Sequence, residues 1–190
     1  MNAAGMYGNL DTVKNCVERG VDIEAEKSDG WRALHYASSY GHLDIVQYLV
    51  EEAGANLRVK EREGWTPLHV ASQYGHIDIV QYIIQDRHID PYLRTNNDGM
   101  NALHVASQTG HLNVVQYLVN DCGVDITTTT TTLGYTACTL AQNAGKQKVV
   151  DFLGTKLTID IDAISKNDPI VPTDTTAPSL SFQTTIGERL

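Results

Sequence analysis

Cysteine is scarce in this chain of 190 residues, and so is positive charge. The three cysteines, Cys16, Cys122 and Cys138, are odd in number and scattered, so they form no disulfide framework. A reducing, cytoplasmic setting is expected, with the nucleus as a second possibility. Lysine and arginine number 14 against 23 aspartates and glutamates, a formal net charge of -9. Such a balance is not drawn to phosphate backbones or anionic lipid, so neither a nucleic acid nor a membrane is an expected partner. No apolar run approaches the roughly 18 residues of a membrane span. The stretch Met1-Asn2-Ala3-Ala4-Gly5-Met6 lacks the basic segment and apolar core of a signal peptide. Also missing are G-x-S-x-G, a phosphate-binding glycine loop, H-E-x-x-H and C-x-x-C. No catalytic residue and no cofactor is expected, and the chain does not read as an enzyme.

What the sequence has instead is repetition. Gly30-Trp31-Arg32-Ala33-Leu34-His35-Tyr36-Ala37 returns as Gly64-Trp65-Thr66-Pro67-Leu68-His69-Val70-Ala71 and as Gly99-Met100-Asn101-Ala102-Leu103-His104-Val105-Ala106. A weaker copy starts at Gly134-Tyr135. These glycines are 34, 35 and 35 residues apart. A unit so short cannot bury its apolar side alone, so copies must stack into a solenoid. A second glycine follows each first segment, paired as Gly41-His42, Gly75-His76 and Gly110-His111. The pattern beyond it, as in Leu43-Asp44-Ile45-Val46-Gln47-Tyr48-Leu49-Val50, places apolar residues on one wide helical face. Asp44 and Asp78 suit the first helical turn, and Gln47, Gln81 and Gln116 are expected to face solvent. The unit is helix, tight turn, helix and polar loop.

On these two motifs the chain resembles the ankyrin-repeat family, whose signature is T-P-L-H-x-A followed by G-H-L-x-I-V. The resemblance covers about residues 3 to 153 and implies an all-α solenoid of four to five repeats. Each unit would be two antiparallel helices with a hairpin-like loop projecting sideways. The boundaries read as a partial or capping repeat over 1–26, repeats over about 27–60, 61–95 and 96–130, and a C-terminal repeat over 131–153. Asn15 stands where later copies have Tyr48, Tyr82 and Tyr117, which suits a capping unit beginning at a native Met1. A fragment of a longer array would read the same. The loops Glu51-Glu52-Ala53-Gly54 and Asn120-Asp121-Cys122-Gly123 carry one residue more than the commonest family spacing. Both keep a glycine suited to a left-handed helix end, and His88 takes that place in the middle loop. Residues 154–190 lose the helical period and read as a Thr/Pro-rich tail, disordered or docked on the last repeat. Within it Leu157, Ile159 and Ile161 alternate with polar residues like a short strand. Thr127 to Thr132 favours extended structure.

Six of the seven histidines fall in register: His35, His69, His104 and His42, His76, His111. In the family the first set bonds across the hairpin and the second sits in the turn between helices. Equivalent groups in a stack lie roughly 10 Å apart, too far to share a metal ion, so no metal site is expected. Cys16 and Cys138 replace leucine and read as buried hydrophobes, which leaves Cys122 as the readily oxidised thiol. The run Lys60-Glu61-Arg62-Glu63 reads as a solvated surface.

One constellation points to binding. Trp31, Trp65, Met100 and Tyr135 all follow the opening glycine, and in ankyrin proteins that position borders the concave groove. Tyr7, Tyr40 and Tyr74 precede the inter-helix glycine, which is the groove end of the inner helix. Exposed tryptophan and tyrosine supply rigid contact area and are enriched at binding hot spots. Tyr48, Tyr82 and Tyr117 read as packing between repeats. The expected function is a monomeric, non-catalytic protein-binding scaffold or adaptor acting through its concave face and hairpin tips. Its expected partner is a protein with a basic patch. The alternatives are a regulatory or inhibitory subunit of one enzyme or transcription factor, and a targeting segment of a larger enzyme.

Overall fold

A computed structural model describes residues 1–167. Ten α-helices occur among the described residues, in inner and outer pairs: α1 (Asn2–Tyr7) with α2 (Leu10–Glu18), α3 (Ala33–Tyr40) with α4 (Leu43–Glu51), α5 (Pro67–Tyr74) with α6 (Ile77–Gln81), α7 (Ala102–Thr109) with α8 (Leu112–Asn120), and α9 (Ala137–Asn143) with α10 (Gln147–Asn167). The inner helices pack on one another in sequence order, α1 on α3 through to α7 on α9, and the outer helices follow behind them. This is the expected all-α solenoid.

The inner layer is close because its contact residues are small. Ala33, Ala37, Ala71, Ala102, Ala106, Ala137 and Ala141 are fully buried, with Leu34, Leu68 and Leu103 beside them. The outer layer contributes Ile45, Val46 and Leu49, then Ile79, Val80 and Ile83, then Val114, Val115 and Leu118, and finally Val149 and Leu153. Together they form one continuous core from Ala4 to Leu153. Each large aliphatic side chain so buried contributes roughly 1.5–3 kcal/mol. Gln81 and Gln116 are exposed and Gln47 is half-buried, consistent with the outward face.

Helix ends follow the local chemistry. Pro67 occupies the first turn of α5, where its missing N–H leaves nothing unpaired. Outer helices close with a bond from the residue after the left-handed position: Ala55 N to the Leu49 carbonyl (2.8 Å), Ile89 N to Ile83 (3.2 Å) and Val124 N to Leu118 (2.9 Å). In the middle loop His88 is the left-handed residue, with φ 53°. There α6 widens into a π turn over Tyr82–Asp86, which the apolar pattern does not announce.

The hairpins close between Lys27 N and the Trp31 carbonyl, Glu61 N and Trp65, Thr95 N and Met100, and Thr130 N and Tyr135. The last two span one residue more, so the additional residue of the 35-residue spacings lies in these tips. A ladder of basic side chains links successive tips. Arg32 Nη1 donates to the Lys60 carbonyl (3.2 Å), Lys60 Nζ to the Arg94 carbonyl (3.1 Å), and Arg94 Nη1 to the Thr129 carbonyl (2.9 Å). The run Lys60 to Glu63 is thus part of the hairpin's structure: Glu61 Oε1 accepts from the N–H groups of Glu63 and Trp65. In the threonine run only an isolated bridge forms, between Thr129 and Thr136.

Two expectations are corrected. The segment with Leu157, Ile159 and Ile161 is helical, because α10 runs unbroken from Gln147 to Asn167 and crosses the expected boundary at 153/154. Leu157 packs against the core. The remaining tail, 168–190, lies outside the described residues. Cys16 and Cys138 are half-buried rather than buried, as is Cys122, and burial pushes the thiols of Cys122 and Cys138 up alike. Cys122 is therefore not set apart as the reactive thiol.

Candidate protein-binding groove

The residue after each opening glycine is held by a side chain from its own hairpin. Trp31 N–H donates to Asp29 Oδ1 (2.9 Å) and Trp65 N–H to Glu61 Oε1 (2.9 Å). Met100 N–H donates to Thr95 Oγ1 (3.0 Å) and Tyr135 N–H to Thr130 Oγ1 (3.0 Å). The backbone of all four residues is thereby held at the junction of hairpin and inner helix.

Behind this junction the inner-helix histidines act as staples. His35, His69 and His104 each accept through Nδ1 from the N–H of their own helix's first cap residue: Arg32, Thr66 and Asn101. An accepting Nδ1 puts the proton on Nε2, which faces the Trp65 carbonyl (3.2 Å) from His35, the Leu93 (3.0 Å) and Met100 (3.1 Å) carbonyls from His69, and the Thr128 carbonyl (3.0 Å) from His104. Burial holds all three below the ordinary histidine range, His69 at about 4. The second set reaches backwards. Nε2 of His42, His76 and His111 lies 3.3, 3.0 and 2.8 Å from the carbonyls of Met6, Ser39 and Gln73 in the preceding repeat. Both sets are thus committed to the backbone. Among the described residues no group of three or more His, Cys, Asp or Glu is placed to hold a metal ion.

The seven aromatic-set residues divide. Tyr7, Tyr40 and Tyr74 are 76%, 54% and 50% exposed, at the ends of α1, α3 and α5. Tyr40 and Tyr74 lie flat beside His42 and His76 (centroids 6.3 and 6.5 Å apart). Trp31 is half-buried against Tyr36, with centroids 5.1 Å apart. Met100 departs from the expectation of an exposed contact residue: it is 6% exposed, packed with Val105 and Leu140 between Trp65 and Tyr135. A thioether is flexible enough to fill that gap, and it does so at the expense of surface.

Two clefts result. Asp29, Trp31, Tyr36, Ser39, Tyr40, Tyr74 and His76 line one of about 640 Å³. A smaller one, about 260 Å³, is lined by Met100, Tyr135, Leu140 and Leu133, among others. Tyr36, Asp29 and Leu133 are among the residues of this surface that were not singled out from the sequence. Tyr36 departs from the valine of sister repeats at Val70 and Val105, which was a readable signal. Asp29 and Leu133 sit in hairpin tips whose variable spacing hides their register, and Leu133 is 65% exposed. The outer-helix tyrosines pack as expected: Tyr82 and Tyr117 are buried and Tyr48 is half-buried, and Tyr82 donates to Glu51 Oε1 (2.9 Å).

The model for ankyrin repeats (3 copies) matches residues 1–95 and 88–165. The chain belongs to the ankyrin-repeat family. As an ankyrin-repeat chain it is a protein-protein interaction module. It is similar to the Notch-regulated ankyrin repeat-containing proteins of Homo sapiens and Xenopus tropicalis, at 52% identity over 46 residues, which is 24% of this chain and 40% of theirs. It is also similar to protein phosphatase 1 regulatory subunit 27 of Mus musculus, at 42% identity over 50 residues, 26% of this chain and 32% of that protein. The matches thus span about two fifths or less of these relatives' length. Among the described residues no helix is long and apolar enough to cross a membrane.

Proposed function

We propose that this ankyrin-repeat chain is a non-catalytic adaptor that binds a partner protein along the face bearing Trp31, Trp65, Tyr135, Tyr7, Tyr40 and Tyr74. The observation that carries the reading is the row of half-exposed tyrosines at one end of three successive inner helices, beside a cleft of about 640 Å³. Rigid rings offered in a row give contact area at little entropic cost. Met100 belongs to the platform beneath this face. The three unpaired cysteines suit a reducing, cytoplasmic or nuclear site of action.

Binding as a regulatory subunit of one enzyme is the second reading. It is favoured by the similarity of 50 residues to a protein whose name is a phosphatase regulatory subunit. Capture of partners from the source cell by the full chain, against a Trp31→Ala/Trp65→Ala double variant, tests the shared claim. A loss of about 2 kcal/mol or more of affinity is expected, with a much smaller change in stability. Collapse of melting with unchanged binding per folded molecule would make both tryptophans packing residues. One stoichiometric enzyme in the captured material favours the regulatory reading over the adaptor.

A further inference from the structure

The larger cleft has a chemistry narrower than protein binding in general. Two of its polar side chains are turned to the backbone: Ser39 Oγ donates to the Tyr36 carbonyl (2.9 Å), and His76 Nε2 faces the Ser39 carbonyl (3.0 Å). Asp29 spends one carboxylate oxygen on Trp31 N–H, and the other is left over an exposed tip. What the cleft offers a ligand is one carboxylate among the aromatic side chains of Trp31, Tyr36, Tyr40 and Tyr74, with their polar edges. No lining residue is a lysine or arginine. Aromatic faces and a carboxylate together attract cations.

The protein itself already places a cation at this spot. Lys27 Nζ stands 4.5 Å from the centroid of Tyr36, and Lys27 makes no ion pair among the described residues. Its side chain is exposed and rises from the hairpin that carries Asp29. It covers one ring only, while Tyr40 and Tyr74, each lying beside a histidine, keep about half of their surface exposed. A net charge of -9 adds attraction for a basic partner at longer range.

We propose that this cleft takes the arginine side chain of a partner's basic segment, with the guanidinium received among the rings of Trp31, Tyr36, Tyr40 and Tyr74 and paired with Asp29. Lys27 is its built-in competitor. The proposal deepens the protein-binding reading and rests on it. Arginine fits better than lysine because its planar, weakly hydrated head stacks on rings while still donating to a carboxylate. Lysine's ammonium must shed tightly held water to do the same.

The test uses the full chain and three capped pentapeptides: glycine with a central arginine, its citrulline twin, and its lysine twin. Citrulline keeps the shape of arginine and removes the charge. The readout is the shift of the Trp31 indole N–H in nuclear magnetic resonance titrations. The arginine peptide should bind at least fivefold more tightly than either twin. Asp29→Asn keeps an oxygen for Trp31 N–H, so the hairpin is retained, and it should reduce arginine binding to the citrulline level. Lys27→Met should raise arginine affinity severalfold by freeing the Tyr36 face. Equal binding of citrulline or lysine, shifts centred on Tyr135, or indifference to Asp29→Asn or Lys27→Met would each overturn the proposal. If the chain retains its captured partner through the Trp31/Trp65 face while failing these tests, protein binding stands and only the arginine slot falls.

Discussion

Gly41 and the imidazole of His76 fill adjoining space across a repeat boundary: a Cβ on residue 41 would stand 2.6 Å from His76 Nδ1. The same ring faces the Ser39 carbonyl, so it cannot swing away without losing that bond. Gly54 provides the control, since it has the same φ of 77° but nothing within 4 Å of an added Cβ. Gly54→Ala should cost about 1 kcal/mol from left-handed backbone strain alone. Gly41→Ala should cost at least about twice that, because strain and collision add. Urea denaturation of the two variants measures the difference.

Acid should weaken the stack through its buried histidines. Unfolded imidazoles titrate near 6.5, whereas His69 in the fold titrates at about 4 and His35 and His104 are shifted the same way. Between those limits the unfolded chain binds more protons than the folded one. Stability is therefore complete above about pH 6.5 and lost as pH falls towards 4. His69 alone accounts for on the order of 3 kcal/mol of this loss. The geometric reason is that a proton on Nδ1 would abolish its acceptance from Thr66 N–H. His69→Gln should flatten the pH dependence of denaturant midpoints across this window, and an unchanged slope would refute the assignment.

Equivalent tyrosines should respond differently to loss of the hydroxyl. Tyr82 donates to Glu51, while the buried hydroxyl of Tyr117 makes no hydrogen bond to an oxygen or nitrogen among the described residues and has only the weakly bonding Cys122 thiol nearby. Tyr82→Phe should cost about 1 kcal/mol, and Tyr117→Phe should be neutral or stabilising. Thermal melting of both variants checks the contrast.

Unfolding should begin at the C-terminal repeat. Thr139 stands where the other copies have a stapling histidine, and its hydroxyl bonds only locally, to Thr136. Cys138 replaces a leucine with a smaller side chain and stays half-buried. Amide exchange across 136–153 should be faster than across 66–84. Equal protection in the two segments would show that α10, which extends well beyond the length of the other outer helices, compensates for the missing staple.

The stack was legible because its signals recur: the opening glycine, the alanine-leucine inner face and the Gly-His turn each appear in several copies, and packing enforces them all. The departures were less legible for definite reasons. Leu157, Ile159 and Ile161 satisfy a period of two, but Leu153, Leu157 and Ile161 also satisfy a helical spacing. A helix already docked through Val149 and Leu153 continues into the second pattern. The burial of Met100 depends on Leu140, a contact made across a repeat boundary that local sequence does not encode. The cleft was half-readable. Its tyrosines stand at fixed register before a glycine, whereas Asp29 comes from a tip with no repeated pattern.

His69 reaches forward to Met100, and His76, seven residues later, reaches back to Ser39. The segment 64–98 therefore carries one histidine connector for each neighbour. Copying that segment whole would place a forward-reaching and a backward-reaching histidine at both new joints. The span of the groove can thus change by gene duplication in steps of one repeat.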